Sequence, residues 1–244
     1  MFDFLKKKKK TKLFYATDVH CHIMPGVDHG ASSIEKGIEL IKAEMEMGIN
    51  KFIFTPHVTK STFENNPSTI LPAFETFKDA IKAEGLDVDV AISAEYRLDE
   101  LSLSQFKENI FIPMPGDYIL VENAYMQERI DLDDILFDIQ TKGLTPIMAH
   151  PERFNYYTMN RERLRQIRNA GTLFQINIMS FTGYFGRSAK HNAEWLLEND
   201  LIDMLGSDIH NMDHVEVIKQ FLKSKEYKKL ETKLKGRLLN DSFL

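Results

Sequence analysis

The chain has 244 residues, 43% of them hydrophobic, and a formal charge of −5. That length can bury a substantial core; the single cysteine excludes an internal disulfide, and no apolar run of about eighteen residues and no apolar leader marks a membrane span or a secretory signal. The first twelve residues hold six lysines and one aspartate, so the remaining chain carries −10 once those five net positive charges are set aside, which argues against a broad nucleic-acid-binding face.

Residues 1–12, MFDFLKKKKKTK, read as a basic tail ahead of a single domain spanning 13–244. The plain reading of the tail is a frayed, solvated terminus. The sharper one is weak peripheral contact with an anionic membrane, since Phe2, Phe4 and Leu5 precede Lys6 to Lys10 and each cation near such a surface contributes about 1 kcal/mol. The default location is cytoplasmic.

From Leu13 onward, short apolar runs alternate with amphipathic segments. LFYATD (13–18), KFIFTPH (51–57), DVAISAE (89–95), YILVEN (118–123), TPIMAH (145–150), TLFQIN (172–177) and IDMLGSD (202–208) read as strands, continuous enough in apolar character for parallel strands buried on both faces. Between them, 33–48, 68–85, 130–143, 161–171 and 188–200 read as helices; the first has Ile34, Ile38, Ile41 and Met45 at helical spacing and Gly48 as its stop. Residues 102–116, SLSQFKENIFIPMPG, read as an irregular connection over the barrel. Without an internal repeat or linker, the alternation predicts one α/β domain, a distorted (β/α)7 TIM-like barrel.

The C-terminal ends of these strands carry the chemistry. They hold His20 and His22, His57, Glu95, Glu122, His150, and Asp208 and His210; with His29 in the loop after the first, six of the eight histidines fall in these motifs. Residues two apart in an extended segment share a face, so His20 and His22 point together, as do Asp208 and His210, while Cys21 points away. A lone strand-end histidine or glutamate is usually structural. A mouth lined only by imidazole and carboxylate is different, because uncompensated carboxylates would repel one another unless divalent cations sit among them. His and Asp/Glu ligands without thiolate suit manganese, iron or zinc; more than four ligands imply more than one ion, with Glu95 as the natural bridge.

The ordered motifs HCHIMPGVDHGA, TPH, SAEYR, VENAY, AHPERF, FTGYFGRSAK and GSDIHN, spread over about residues 15–211, resemble the polymerase-and-histidinol-phosphatase (PHP) superfamily, most closely its bacterial protein-tyrosine phosphatases of capsule and exopolysaccharide operons (CpsB/YwqE-like). The resemblance implies a PHP-type barrel, up to three divalent metals and, as substrate, the phosphotyrosine tail of a membrane-associated bacterial tyrosine kinase. It makes the same eight strand-end residues metal ligands and Arg153 a phosphate contact. Arg187 in GYFGR is a second phosphate candidate that reads equally well as a surface charge. One departure stands out: the family reads Asp-Asp-Gly, its second aspartate a ligand, where this chain has Asp28-His29-Gly30. The expectation is that His29 ligates in its place, with Asp28 as the alternative.

The expected reaction is metal-dependent hydrolysis of a phosphate monoester. Cys21 is not expected to be a nucleophile, since no arginine follows it at Cys-x5-Arg spacing. A small-molecule phosphatase, such as one acting on histidinol phosphate, is the nearest alternative; a non-catalytic metal-binding or kinase-docking module should have lost ligands.

Overall fold

A computed structural model describes residues 12–244; the lysine run and its membrane reading lie outside the described residues. Every named strand pairs in parallel, in a three-stranded sheet and a curled six-stranded sheet. The first sheet contains β1 (Thr17–Cys21), β2 (Lys51–Phe54) and β4 (Asp89–Ile92), in that order. The second runs β3 (His57–Val58), β5 (Glu95–Arg97), β6 (Tyr118–Glu122), β7 (Thr145–Ala149), β8 (Leu173–Asn177), β9 (Met204–Gly206).

All seven expected runs contain strand, but two of them are broken, which gives nine strands among the described residues. The run 51–57 breaks at Thr55-Pro56 into β2 and β3, because proline has no N–H to give the ladder. Its parallel neighbour breaks at Ser93-Ala94, where Ser93 Oγ turns to the Ile112 carbonyl at 2.9 Å. Backbone bonds bridge both breaks, from Ser93 N–H to Phe54 O at 2.9 Å and from Glu95 N–H to Pro56 O at 3.0 Å. At the other margin, Asp208 N–H donates to His20 O at 2.8 Å and His22 N–H to Ile209 O at 2.9 Å, joining the ends of β1 and β9.

The helices follow from local signals. In α1 (Ile34–Met47), Ser33 caps the N-terminus by accepting from Lys36 N–H, and Gly48 closes the other end at φ 104°, a conformation glycine adopts without cost. Asn66 and Thr69 cap each other at the start of α2 (Pro67–Ala83). The segment expected to be irregular, 102–116, begins inside α3 (Glu100–Glu108), because Asp99 accepts from Leu101 and Ser102 N–H and starts a helix there. The expected helices α4 (Leu132–Thr141), α5 (Arg161–Asn169) and α6 (Arg187–Glu198) are present. Two further helices, α7 (Met212–Phe221) and α8 (Lys225–Leu234), follow β9, beyond the elements expected from the sequence.

Strand side chains serve two apolar layers. Phe54 packs on Phe74 and Phe77 of α2 in the outer core, whereas Val19, Ile53, Leu120, Ile147 and Met204 meet in a smaller cluster closed by Phe243. A register irregularity between Asp18 and Cys21 lets Val19 join the smaller cluster while Cys21 lies in the outer core. Each fully buried side chain of this size contributes about 1.5–3 kcal/mol, so strand positions, and with them the polar strand ends, are firmly held. No helix among the described residues is long and apolar enough to cross a membrane.

Candidate metal centre

The eight strand-end residues converge. Four groups bring donor atoms within 4.8 Å of one another: His22, His57 and His210; His20, His22 and Asp208; His20, Glu95 and His150; His57, Glu95 and Glu122. His20, His22, His57 and Glu95 each belong to two of them, and of these only the Glu95 carboxylate has two oxygens with which to bridge. His150 and Asp208 have φ of 34° and 52°, the left-handed region that non-glycine residues enter at a cost of about 1–3 kcal/mol and that collects at functional sites.

Ring tautomers follow from the outward partners. His20 Nδ1 lies 2.7 Å from Gln175 Oε1, which can only accept, and His22 Nδ1 lies 2.7 Å from Asp28 Oδ2. Both rings therefore carry a proton on Nδ1 and turn Nε2 inward, where the two Nε2 atoms stand 3.2 Å apart. Glu95 Oε2 lies 3.4 Å and 3.5 Å from them, and Asp208 Oδ1 lies 3.4 Å from His22 Nε2. Glu95 Oε2 is also 2.8 Å from His57 Nδ1, yet it is buried without a hydrogen-bond partner, as is His210 Nε2. Lone pairs gathered this closely are a donor set that a divalent cation takes.

The electrostatics agree. Burial alone would raise the pKa of Glu95 and Asp208, but the surrounding imidazoles hold both carboxyls well below the usual carboxylate range. Burial opposes a charged His22, yet the Asp28, Asp208 and Glu95 carboxylates push its pKa well above the ordinary imidazole value. His210, desolvated and facing His22, is pushed down to about 3, so its lone pair remains available at neutral pH. Protons on imidazole and divalent ions can thus balance the same carboxylates, and metal binding displaces those protons.

The structure brings neither Asp28 nor His29 into any of the four groups. Asp28 is fully engaged: Oδ2 takes His22 Nδ1–H and, at 3.1 Å, His57 N–H, while Oδ1 takes Gly30 N–H at 2.9 Å. A carboxylate satisfied in this way orients the imidazole behind which it sits. His29 is exposed and lies nearly parallel to His57 and Phe63, with ring centroids 4.9 Å and 5.2 Å away. Gly30 permits the turn, since a Cβ there would fall 1.9 Å from the His22 carbonyl oxygen.

The centre opens into a cavity of about 570 Å³ lined by His29, His57, Phe63, Arg97, Tyr125, Arg153, Phe185, His210 and His214, among others. Arg153 donates to Asp208 Oδ2 at 2.9 Å and lies 4.3 Å over the Phe185 ring and 5.5 Å from that of Tyr125. Arg187, by contrast, is exposed at the first turn of α6 and does not line the cavity; a side chain at that point projects into solvent. Cys21 is buried, its thiol pKa pushed up by desolvation and by Asp18, with Sγ 3.7 Å from the Ile53 carbonyl.

Sequence reasoning missed Arg97, whose Nη1 lies 3.4 Å from Glu122 Oε2 and whose guanidinium sits 5.0 Å from the Tyr125 ring. It also missed Gln175 and Asn177 on β8, both fully buried. Two amides spaced by two in the otherwise apolar LFQIN were the available signal.

The family model described as capsular polysaccharide synthesis, CpsB/CapC, matches residues 16–239. The tyrosine-protein phosphatase CpsB of Streptococcus pneumoniae is 32% identical over 209 residues, covering 80% of this chain and 83% of that protein. The tyrosine-protein phosphatase YwqE of Bacillus subtilis is 30% identical over 196 residues, covering 80% and 77%. A solved structure from work on YwqE of B. subtilis and CpsB of S. pneumoniae, described as metal-dependent tyrosine phosphatases, superposes with a TM-score of 0.76 at 26% identity, covering 93% of this chain and 94% of that one. With the ordered motifs and the converging strand ends, these matches show that the chain belongs to the CpsB/CapC family of capsular polysaccharide synthesis.

Proposed function

We propose that this protein is a metal-dependent protein-tyrosine phosphatase whose substrate is the phosphotyrosine tail of a bacterial tyrosine kinase controlling capsule or exopolysaccharide synthesis. The observation that carries the reading is the pair of inward-facing Nε2 atoms of His20 and His22, 3.2 Å apart beside Glu95 Oε2, which also lies 2.8 Å from His57 Nδ1. His20, His22, His57, Glu95, Glu122, His150, Asp208 and His210 would hold up to three divalent ions, manganese foremost, with iron or zinc as alternatives. The relatives named tyrosine-protein phosphatases and the metal dependence of the superposed structure support the same conclusion. The working unit is a single domain over 13–244, a distorted seven-membered barrel supported by the backbone bonds joining β1 to β9, and it acts in the cytoplasm.

Bound ions would acidify water and draw charge from the phosphoryl oxygens. Water adds to phosphorus, the bond to the phenolic oxygen breaks, and phosphate and tyrosine result. Arg153, packed by Phe185 and facing the cavity, pairs with phosphoryl oxygens and orients the group. His29 and Phe63, stacked together, line the same cavity and give it an aromatic wall against which a phenyl ring packs. Asp28 keeps His22 in its inward tautomer.

Comparing kcat/KM for a phosphotyrosyl peptide and for histidinol phosphate, with manganese added to chelator-stripped protein, tests the substrate class. The peptide should win by at least about tenfold, or about 1.4 kcal/mol of transition-state binding; equal or better turnover of histidinol phosphate rejects this reading.

A further inference from the structure

β8 supplies no candidate ligand, yet it turns Gln175 and Asn177, two residues apart and fully buried, toward the centre. Asp208 Oδ2 is a carboxylate oxygen and can only accept. Asn177 Nδ2 donates to it at 2.7 Å, which leaves Asn177 Oδ1 to accept from Gln175 Nε2 at 3.0 Å. Gln175 Oε1 then faces His20 Nδ1 at 2.7 Å as an acceptor. Polarity runs one way along this chain, and its last step puts the His20 proton on Nδ1. Reversing both amides would set two acceptors, Asn177 Oδ1 and Asp208 Oδ2, against each other in a buried site.

We propose that Gln175 and Asn177 form a tautomer relay, through which the charge on Asp208 fixes His20 with its Nε2 lone pair directed into the metal centre. The inference rests on the reading of His20 and Asp208 as ligands. A second observation comes from β9: a Cβ on Gly206 would fall 2.5 Å from Gln175 Nε2 and 2.7 Å from His20 Cβ, so the neighbouring strand omits a side chain where the relay passes. Asp208 Oδ2 also takes the Arg153 guanidinium at 2.9 Å, so one carboxylate oxygen orients both the relay and the phosphate-facing arginine.

The test measures Mn2+ affinity by titration calorimetry on chelator-stripped Gln175→Met, Asn177→Leu and the double variant. Long-range 15N–1H spectra of chelator-stripped wild type and Asn177→Leu, recorded at alkaline pH where the imidazole is neutral, report the His20 tautomer. Each single variant should weaken Mn2+ binding by about 10–100-fold. The double variant should lose no more than the worse single, because the two amides act as one unit. Wild-type His20 should show an Nδ1–H, replaced by a tautomer mixture in Asn177→Leu. Adding Gln175→Glu to Asn177→Leu should restore most of the affinity, since it returns an acceptor to His20 Nδ1–H where no amide polarity is left to violate; filling space alone would give no rescue. Wild-type affinity in both singles, losses that multiply in the double, or an Nε2–H on His20 in the wild type overturns the relay. His20→Ala separates the two levels: if it loses Mn2+ while the relay variants keep it, only the relay fails, and if it keeps Mn2+, the ligand reading fails with it.

Discussion

The Asp28 carboxylate grips His22 from behind, its Oδ2 2.7 Å from His22 Nδ1, while the neighbouring His29 ring stacks on His57 at the rim. This arrangement favours Asp28 as the partner of His22 and leaves His29 outside the gathered donor groups, against the expectation that His29 replaces a ligating aspartate. His29→Ala should keep the wild-type ion count per chain. Asp28→Ala should weaken Mn2+ binding by about 10–100-fold, because His22 loses the partner that fixes its tautomer. Inductively coupled plasma analysis and calorimetry decide it: loss of about one ion in His29→Ala would reinstate His29 as a ligand.

Cys21 belongs to the outer core, with its thiol toward a strand carbonyl. Cys21→Ser should retain kcat within about twofold and lose about 1 kcal/mol of stability, in the ordinary range for a small buried change. Steady-state kinetics and thermal melts check both, and a fully metallated but inactive variant would return the cysteine to the mechanism.

Glu44, fully buried in α1, has its pKa held well above the ordinary carboxyl value by burial and by the nearby Asp18. The folded protein therefore retains a proton that the unfolded chain releases. The stability this contributes is complete below the unfolded pKa, near 4.5, and declines as pH rises from there toward the elevated folded value. Glu44→Gln should raise the melting temperature at pH 8, by about 1–3 kcal/mol in stability, and change it little at pH 4. An equal or lower melting temperature than the wild type at pH 8 would show that Glu44 is well compensated.

The strand ends were legible because each apolar run of a parallel sheet announces itself, and a polar residue closing it can face only the mouth. That logic placed His20, His22, His57, Glu95, Glu122, His150, Asp208 and His210 at one mouth, where their donor atoms do gather. It is silent where direction depends on competition between neighbours. Asp28 and His29 sit in one loop, and the choice between them turned on three N–H groups, from His22, Gly30 and His57, that a carboxylate can accept and an exposed imidazole cannot. Arg187 shows the same limit, since its motif fixes the start of α6 but not a path into the cavity. Gln175 and Asn177 stayed hidden because buried amides in a strand carry no charge signature. The breaks at Pro56 and Ser93 left pairing direction intact, so nine strands still follow the path expected of seven.

Phosphotyrosine hydrolysis by this protein rests on divalent ions at these strand ends. The most direct measurement is turnover of a phosphotyrosyl peptide by chelator-stripped protein as Mn2+ is restored, with ions counted on the same sample and Asp208→Ala run in parallel. Turnover should be negligible when stripped, recover in step with ion occupancy, and fall by several orders of magnitude in Asp208→Ala. Full activity in protein shown to be free of metal would contradict it.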